Sequence, residues 1–135
     1  MPESLNQNFN HLKIHTQYSI CEGAIKIDAL KEKSKENKIK SLAICDTSNL
    51  CGALEFSEKL SKIGTQPIIG TQIYFRFEET TGLLPLIALN EKGYKRIIEL
   101  SSRSYLENDA QSEPHLDIEE LMVNNDGVIL FSGTN

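Results

Sequence analysis

Two periodicities of apolar residues alternate along the chain, and they predict the order of its secondary structure. Short runs in which every second position, or nearly every position, is apolar are typical of strands. Longer Lys- and Glu-rich segments with apolar residues three and four apart are typical of amphipathic helices. Strands are predicted at residues 9–16, 42–45, 67–77, 83–89 and 128–131, and helices at residues 27–38, 50–63 and 91–106, with a short helix after Asp117.

Capping and helix-breaking residues set the predicted boundaries. Ser48 and Asn90 each precede a helix and can accept a hydrogen bond from its first turn, and Gly64 can end the second helix. Residues 80–82 predict a turn between two strands. Pro85 has no N–H to donate to a ladder, so it predicts an edge position or an irregularity in its strand.

The alternation of strands and helices predicts an α/β fold with a mostly parallel sheet covered by helices. The chain stops just after a strand, where a strand–helix unit would continue into its helix. We therefore expect these 135 residues to be a piece of a larger α/β domain. The alternative is a complete domain whose last strand lies at the edge of the sheet.

Composition and charge narrow the possible classes of protein. The chain is 39% hydrophobic and 24% charged, which fits a globular domain rather than a disordered one. It has no run of about 20 apolar residues that would cross a membrane, and no signal peptide pattern. A net charge of −5 argues against a DNA-binding surface on this segment. Three cysteines without a CxxC pair predict reduced thiols in a cytoplasmic protein.

Candidate chemistry lies where the predicted strands end. His15 and Asp46 each follow an apolar strand and are candidate metal ligands or acid–base groups. His11 and His15 would be about 13 Å apart along a strand, which is too far for both to bind one metal. A histidine that only packs, and an aspartate that only forms a turn or caps a helix, are the structural alternatives, and both stay open.

Four ordered blocks give the chain a resemblance to a known family. They read HLKIHTQYSICEGAIKI, LAICDTSNLCGALEF, QPIIGTQIYF and LNEKGYKRIIELSSRSY. In this order and spacing they resemble the N-terminal PHP domains of bacterial replicative DNA polymerase III alpha subunits. The resemblance implies a PHP-type distorted (β/α)7 barrel about twice as long as this chain. Residues 1–8 would be an N-terminal tail, and residues 9–135 the first half of the barrel, incomplete at its C-terminus.

The resemblance also implies a metal site whose ligands are largely replaced. The family's metal-binding form has two histidines at the positions of Lys13 and His15, an Asp-His pair at Asp46 and Thr47, and an acidic ligand at Gln72. Lys13 would repel a cation by about 4 kcal/mol per unit charge at 4 Å. Its ammonium group could instead neutralise Asp46. We therefore expect vestigial ligand positions, no bound metal and no catalytic residue in this segment.

The function implied is a structural and docking role within a replicative polymerase. The parent would be a DNA-directed DNA polymerase, a nucleotidyltransferase that uses magnesium and itself binds DNA. The expected partners of this cytoplasmic segment are the remainder of the alpha subunit and a separate proofreading exonuclease subunit, with no membrane contact. One alternative is an active PHP phosphoesterase or 3′-5′ exonuclease that holds zinc or manganese. The other is a stand-alone α/β interaction protein.

Overall fold

Helices and strands alternate along residues 9–132, which are the residues that the computed structural model describes. The predicted tail at residues 1–8 lies outside this range. The elements are α1 (Ile27–Glu36), β1 (Ser41–Thr47), α2 (Ala53–Ser61), β2 (Gln66–Phe77), β3 (Thr80–Ala88), α3 (Glu91–Leu106), β4 (His115–Asp117), the 3-10 helix η1 (Ile118–Met122) and β5 (Val128–Leu130). This order confirms the predicted alternation and adds one short strand, β4.

The sheet is mixed, so the prediction of a mostly parallel sheet is wrong. β1 is parallel to β2, and β4 is parallel to the second half of β2. β3 is antiparallel to both β2 and β5. The reason lies in the connection: only Glu78 and Glu79 separate β2 from β3, and a parallel crossover needs a dozen residues or more. Glu78 has a φ of 53°, so the turn lies there and not at residues 80–82.

The segment predicted as a first strand runs beside β1 without forming a continuous ladder. One isolated parallel bridge joins Ile14 to Ile44. Ala43 donates its N–H to the carbonyl of His11 at 3.0 Å, and Cys45 donates to that of Ile14 at 2.8 Å. The segment therefore extends the sheet on the outer side of β1 and carries His15 to the end of that strand.

The predicted helix caps at Asn90 and Ser48 have different outcomes in the structure. Asn90 caps α3 as predicted, because its side chain accepts the N–H of Gly93 at 3.0 Å. Ser48 does not cap α2: it has a φ of 56°, and the helix begins only at Ala53. Pro85 occupies an edge position locally, as predicted: it pairs with Gln72 of β2, and the ladder between β3 and β5 begins only at Leu86.

Two apolar cores pack against the sheet, and β2 contributes to both. The first core joins α1 and α2 to β1 through six buried side chains: Ile27, Leu30, Leu42, Ile44, Phe56 and Leu60. The second joins α3 to β2, β3 and β4 through Ile73, Phe75, Leu86, Ile97, Leu100 and Leu116. Ile69 of β2 packs against the first core. Each fully buried side chain of this size contributes roughly 1.5–3 kcal/mol.

The helices within residues 9–132 can be compared with the length and apolar character that a transmembrane helix requires. None of them has the length and apolar character needed to span a bilayer.

Candidate functional site

Five polar side chains meet at the carboxyl end of β1, beside the middle of β2. We call them the strand-end cluster: His15, Ser19, Glu22, Thr47 and Gln72. The register of the parallel pair places Thr47 directly opposite Gln72. His15 comes from the first extended segment, and Ser19 and Glu22 from the loop that follows it. This loop is held by backbone hydrogen bonds, including one from the N–H of Gly23 to the carbonyl of Ser19 at 2.9 Å.

Hydrogen bonds connect the members of the strand-end cluster in a chain. Gln72 Nε2 donates to Thr47 Oγ1 at 2.6 Å, and Thr47 Oγ1 in turn donates to Oε2 of Glu22. Ser19 Oγ donates to the same carboxylate oxygen at 2.8 Å. His15 Nδ1 lies 3.5 Å from Ser19 Oγ and 3.9 Å from Glu22 Oε2. Glu22 is therefore the acceptor on which the cluster converges.

The electrostatics of the cluster favour an ionised Glu22. The hydrogen bond from the Thr47 hydroxyl lowers the pKa of this carboxyl most, and partial burial opposes it. The Ser19 hydroxyl and the nearby charges of His15 and Lys13 lower the pKa further. The carboxylate thus stays negative at neutral pH, stabilised by neutral hydroxyl donors.

Gln72 holds one unused acceptor in the cluster. Its side chain is 2% exposed, and its Oε1 atom has no hydrogen-bond partner in the described part of the chain. An amide oxygen is a weak ligand compared with a carboxylate, and the other end of this amide already donates to Thr47. The position therefore offers hydrogen bonding and no negative charge.

Asp46 has different partners from those of the strand-end cluster. It is buried, and its Oδ1 accepts the N–H of Thr16 at 2.5 Å while its Oδ2 accepts the hydroxyl of Thr16 at 2.6 Å. Its backbone carbonyl accepts the hydroxyl of Thr71 at 2.6 Å. Asp46 thus fastens the first loop and β2 to β1, which is neither the turn nor the helix cap considered from the sequence.

Lys13 does not neutralise Asp46, so that expectation is wrong. Lys13 is exposed, and no carboxylate in residues 9–132 lies within 4.0 Å of its ammonium group. Its positive charge does reach Cys45, where it slightly offsets the burial that raises the pKa of the thiol to about 12. His11 lies against Phe9, with ring centroids 4.8 Å apart.

The donors at this site do not fit a cluster of metal ions. In the described residues, no group of three or more His, Cys, Asp or Glu side chains is placed to hold one. His15 and Glu22 are the two good ligands of the strand-end cluster, and its other members contribute hydroxyl and amide groups. The geometry can hold a network of hydrogen bonds around one carboxylate.

Sequence reasoning missed Glu22, Ser19 and Thr16. The signal lay in the glycine that follows Glu22: a Cβ on Gly23 would lie 2.0 Å from the carbonyl oxygen of Thr16. A glycine is thus required for the loop to return against its own start. That return brings the acidic residue beside it back to the strand end.

Solved structures of two enzymes share this fold and define its class. One is assigned as a metal-dependent phosphoesterase from Bifidobacterium adolescentis, with a TM-score of 0.56 and 19% identity, over 73% of this chain and 34% of that one. The other is an amidohydrolase from Chromobacterium violaceum, with a TM-score of 0.57 and 13% identity, over 72% and 33%. The chain therefore has the mixed α/β fold of part of these barrels, in agreement with the predicted α/β class, and spans about a third of each neighbour.

The sequence places the chain more narrowly. The PHP domain model matches residues 11–135, and the chain belongs to the PHP domain family. The DNA polymerase III subunit alpha of Caulobacter vibrioides is 36% identical over 98% of this chain, and that of Aquifex aeolicus is 36% identical over 95%. The chain spans only 12% of the length of either relative. The resemblance drawn from the four sequence blocks is thereby confirmed.

Proposed function

We propose that this chain is a non-catalytic PHP segment of a replicative polymerase alpha subunit, in which hydrogen bonds replace the metal ions of the site. The observation that carries the proposal is the chain of donors from Gln72 through Thr47 to Glu22. In a metal site these positions would present acceptors to a cation. Here the hydroxyls of Thr47 and Ser19 supply the positive ends of dipoles to the carboxylate, and the Gln72 amide donates to Thr47 behind them, so the carboxylate needs no metal for compensation.

The proposal gives the segment a structural role in the cytoplasm. The hydrogen bonds of the cluster fasten the first loop to the end of β1 and the middle of β2, which stabilises a surface on which other parts of a replicase can dock. The partners we propose are the remainder of the alpha subunit and a separate exonuclease subunit. Magnesium, the polymerase reaction and DNA binding would belong to the rest of the parent protein. The small share of the relatives' length that this chain spans supports that division.

Metal titration tests the proposal. The triple variant Lys13→His, Thr47→His and Gln72→Glu restores three ligand groups and removes a positive charge from the site. We expect calorimetry to show negligible manganese or zinc binding by the unmodified chain and measurable binding by this variant. The control is Lys92→His, Thr80→His and Gln111→Glu, which makes the same three substitutions at exposed positions away from the site.

Two results would contradict the proposal. Binding of about two metal ions by the unmodified chain would overturn the loss of the metal site and favour the active phosphoesterase. Equal, negligible binding by both triple variants, with circular dichroism showing intact folds, would mean that these positions do not converge on a former metal site.

A further inference from the structure

A small cavity lies at the end of the sheet opposite the strand-end cluster. It has a volume of about 250 Å³ and lies beside the start of β1 and the start of β2, between the loops that follow α1 and α2. Because β1 and β2 are parallel and β1 has seven residues, roughly 20 Å of strand separates the two ends. The cavity is smaller than the roughly 300–1,000 Å³ of most small-molecule pockets, so it suits a single small charged group.

The lining of this cavity is strongly basic. Lys35, Lys38 and Lys40 line it, and we call it the lysine pocket. Residues 33–40 contain four lysines and one glutamate, in a chain whose net charge is −5. The acidic average therefore hides a local concentration of positive charge at this end of the sheet.

The ammonium groups of the lysine pocket have no side-chain partner in the described part of the chain. Among residues 9–132, Lys35, Lys38 and Lys40 take part in no ion pair and donate no side-chain hydrogen bond. Some lysines elsewhere are paired, such as Lys59 with Asp28 at 2.6 Å and Lys92 with Asp126 at 2.6 Å, whereas Lys13 has no ion pair in the described residues. Three exposed lysines whose charges no ion pair compensates in the described residues thus line the pocket.

A need to cap α1 does not account for these lysines. The carbonyl groups at its C-terminal end already accept backbone donors: Ser34 O accepts from Ile39 N at 2.9 Å, and Lys35 O accepts from Lys38 N at 3.3 Å. At the end of α2, the carbonyl of Leu60 accepts from Thr65 N at 3.1 Å. The hydrogen-bonding capacity of the lysines remains free for a ligand.

Ser34 provides a second, independent sign of a ligand. It is 1% exposed, it forms part of the wall of the lysine pocket, and its hydroxyl has no hydrogen-bond partner in the described residues. A buried hydroxyl without a partner costs roughly 1–3 kcal/mol. Gly64 also lines the pocket, and a Cβ at this position would meet nothing within 4 Å.

From these observations we propose that the lysine pocket is a binding site for phosphate groups. Three ammonium groups around a small cavity match the compact, multiply charged form of a phosphate. The phosphate could belong to a small ion such as pyrophosphate or to the backbone of a nucleic acid. The two sources share the chemistry and are separated by experiment.

Fluorescence anisotropy of a labelled single-stranded oligothymidylate, titrated with the 135-residue chain at low ionic strength, tests the proposal. Three phosphate contacts predict a slope of about −2 for log K against log salt. We expect the variant Lys35→Gln, Lys38→Gln and Lys40→Gln to bind at least about tenfold more weakly, with a flatter slope. The control Lys26→Gln, Lys92→Gln and Lys95→Gln changes the net charge equally and should bind within about twofold of the unmodified chain.

Competition identifies the source of the phosphate. If pyrophosphate displaces the oligonucleotide and shows calorimetric binding that the lysine-pocket variant loses, the site takes small phosphates. If the variant loses only oligonucleotide binding, the site takes the nucleic acid backbone. The proposal is overturned if the unmodified chain binds neither probe, or if both triple variants lose the same amount of binding affinity. It is equally overturned if polyglutamate binds as tightly as the phosphate probes. It is also overturned if the lysine-pocket variant loses stability while its binding is unchanged.

Discussion

Asp46 gives the sharpest test of what the polar residues at the strand ends do in this chain, because both oxygens of its carboxylate accept hydrogen bonds that hold the fold together. Both of its oxygens accept from Thr16, one from the N–H at 2.5 Å and one from the hydroxyl at 2.6 Å. Asp46 is 2% exposed and Thr16 is fully buried. The substitution Asp46→Ala removes both acceptors and leaves both donors in the interior without water.

The size of the effect follows from this geometry. A hydrogen bond to a charged group contributes about 1.5–3 kcal/mol, and a buried donor left without an acceptor carries a penalty of similar size. The lost hydrogen bonds and the unpaired donors are partly the same free-energy cost, so the two values are not added in full. We expect Asp46→Ala to lower the free energy of unfolding by about 3–5 kcal/mol. That is a large share of the roughly 5–15 kcal/mol that stabilises an ordinary domain.

Urea unfolding followed by circular dichroism provides the measurement, since the chain has no tryptophan. Asp126→Ala is the matched control: it removes an exposed carboxylate paired with Lys92, so its effect should be much smaller. Asp46→Asn keeps one carbonyl oxygen for the N–H of Thr16 and should lie between the two. A loss below about 1 kcal/mol in Asp46→Ala would refute the structural role and return Asp46 to the candidate ligands.

Three further predictions concern single side chains. Glu22→Gln should lower the free energy of unfolding at neutral pH. Because folding depresses the pKa of Glu22, the stability difference between the unmodified chain and this variant should vanish as the pH falls through the folded-state pKa, which lies below 4.5. A stability difference that stays constant down to pH 3 would refute this. Burial raises the pKa of Cys45 to about 12 while Cys21 and Cys51 are exposed, so a thiol reagent at neutral pH should titrate two thiols in the folded chain and three in urea. Asn90→Ala should cost about 0.5–2 kcal/mol in urea unfolding through loss of the α3 cap, whereas Asn90→Asp, which keeps the acceptor, should cost less.

Local patterns predicted most of the elements because the residues that form them carry their own signals. Helix α3 is amphipathic and begins at a capping Asn90, and both features were visible in the sequence. Strand direction had no such signal. The residues of β3 are apolar enough to resemble a buried parallel strand, and only the two-residue link after Phe77 decides that β3 runs the other way.

The site was predictable only in part, for a similar reason. The strand-end rule located His15, and the resemblance added Thr47 and Gln72. The approach of Glu22 depends on the path of a loop whose turn residues form no periodic pattern. The expected pairing of Lys13 with Asp46 failed because the N–H and hydroxyl of Thr16 already occupy both carboxylate oxygens, which no residue spacing could show.

The position of Gln72 in the sheet has a consequence for how long its network survives when the protein fluctuates. Gly70, Thr71 and Gln72 have strand partners on both sides, β1 on one and β3 on the other. Local opening starts where backbone hydrogen bonds are exposed and packing is sparse, as at β5, and reaches doubly paired strands last. In hydrogen exchange, these three central amides should therefore be released only by global unfolding. The hydrogen bonds of Gln72 would then remain formed during any partial unfolding of the two cores. A partner docked near them would contact a surface that does not unfold locally.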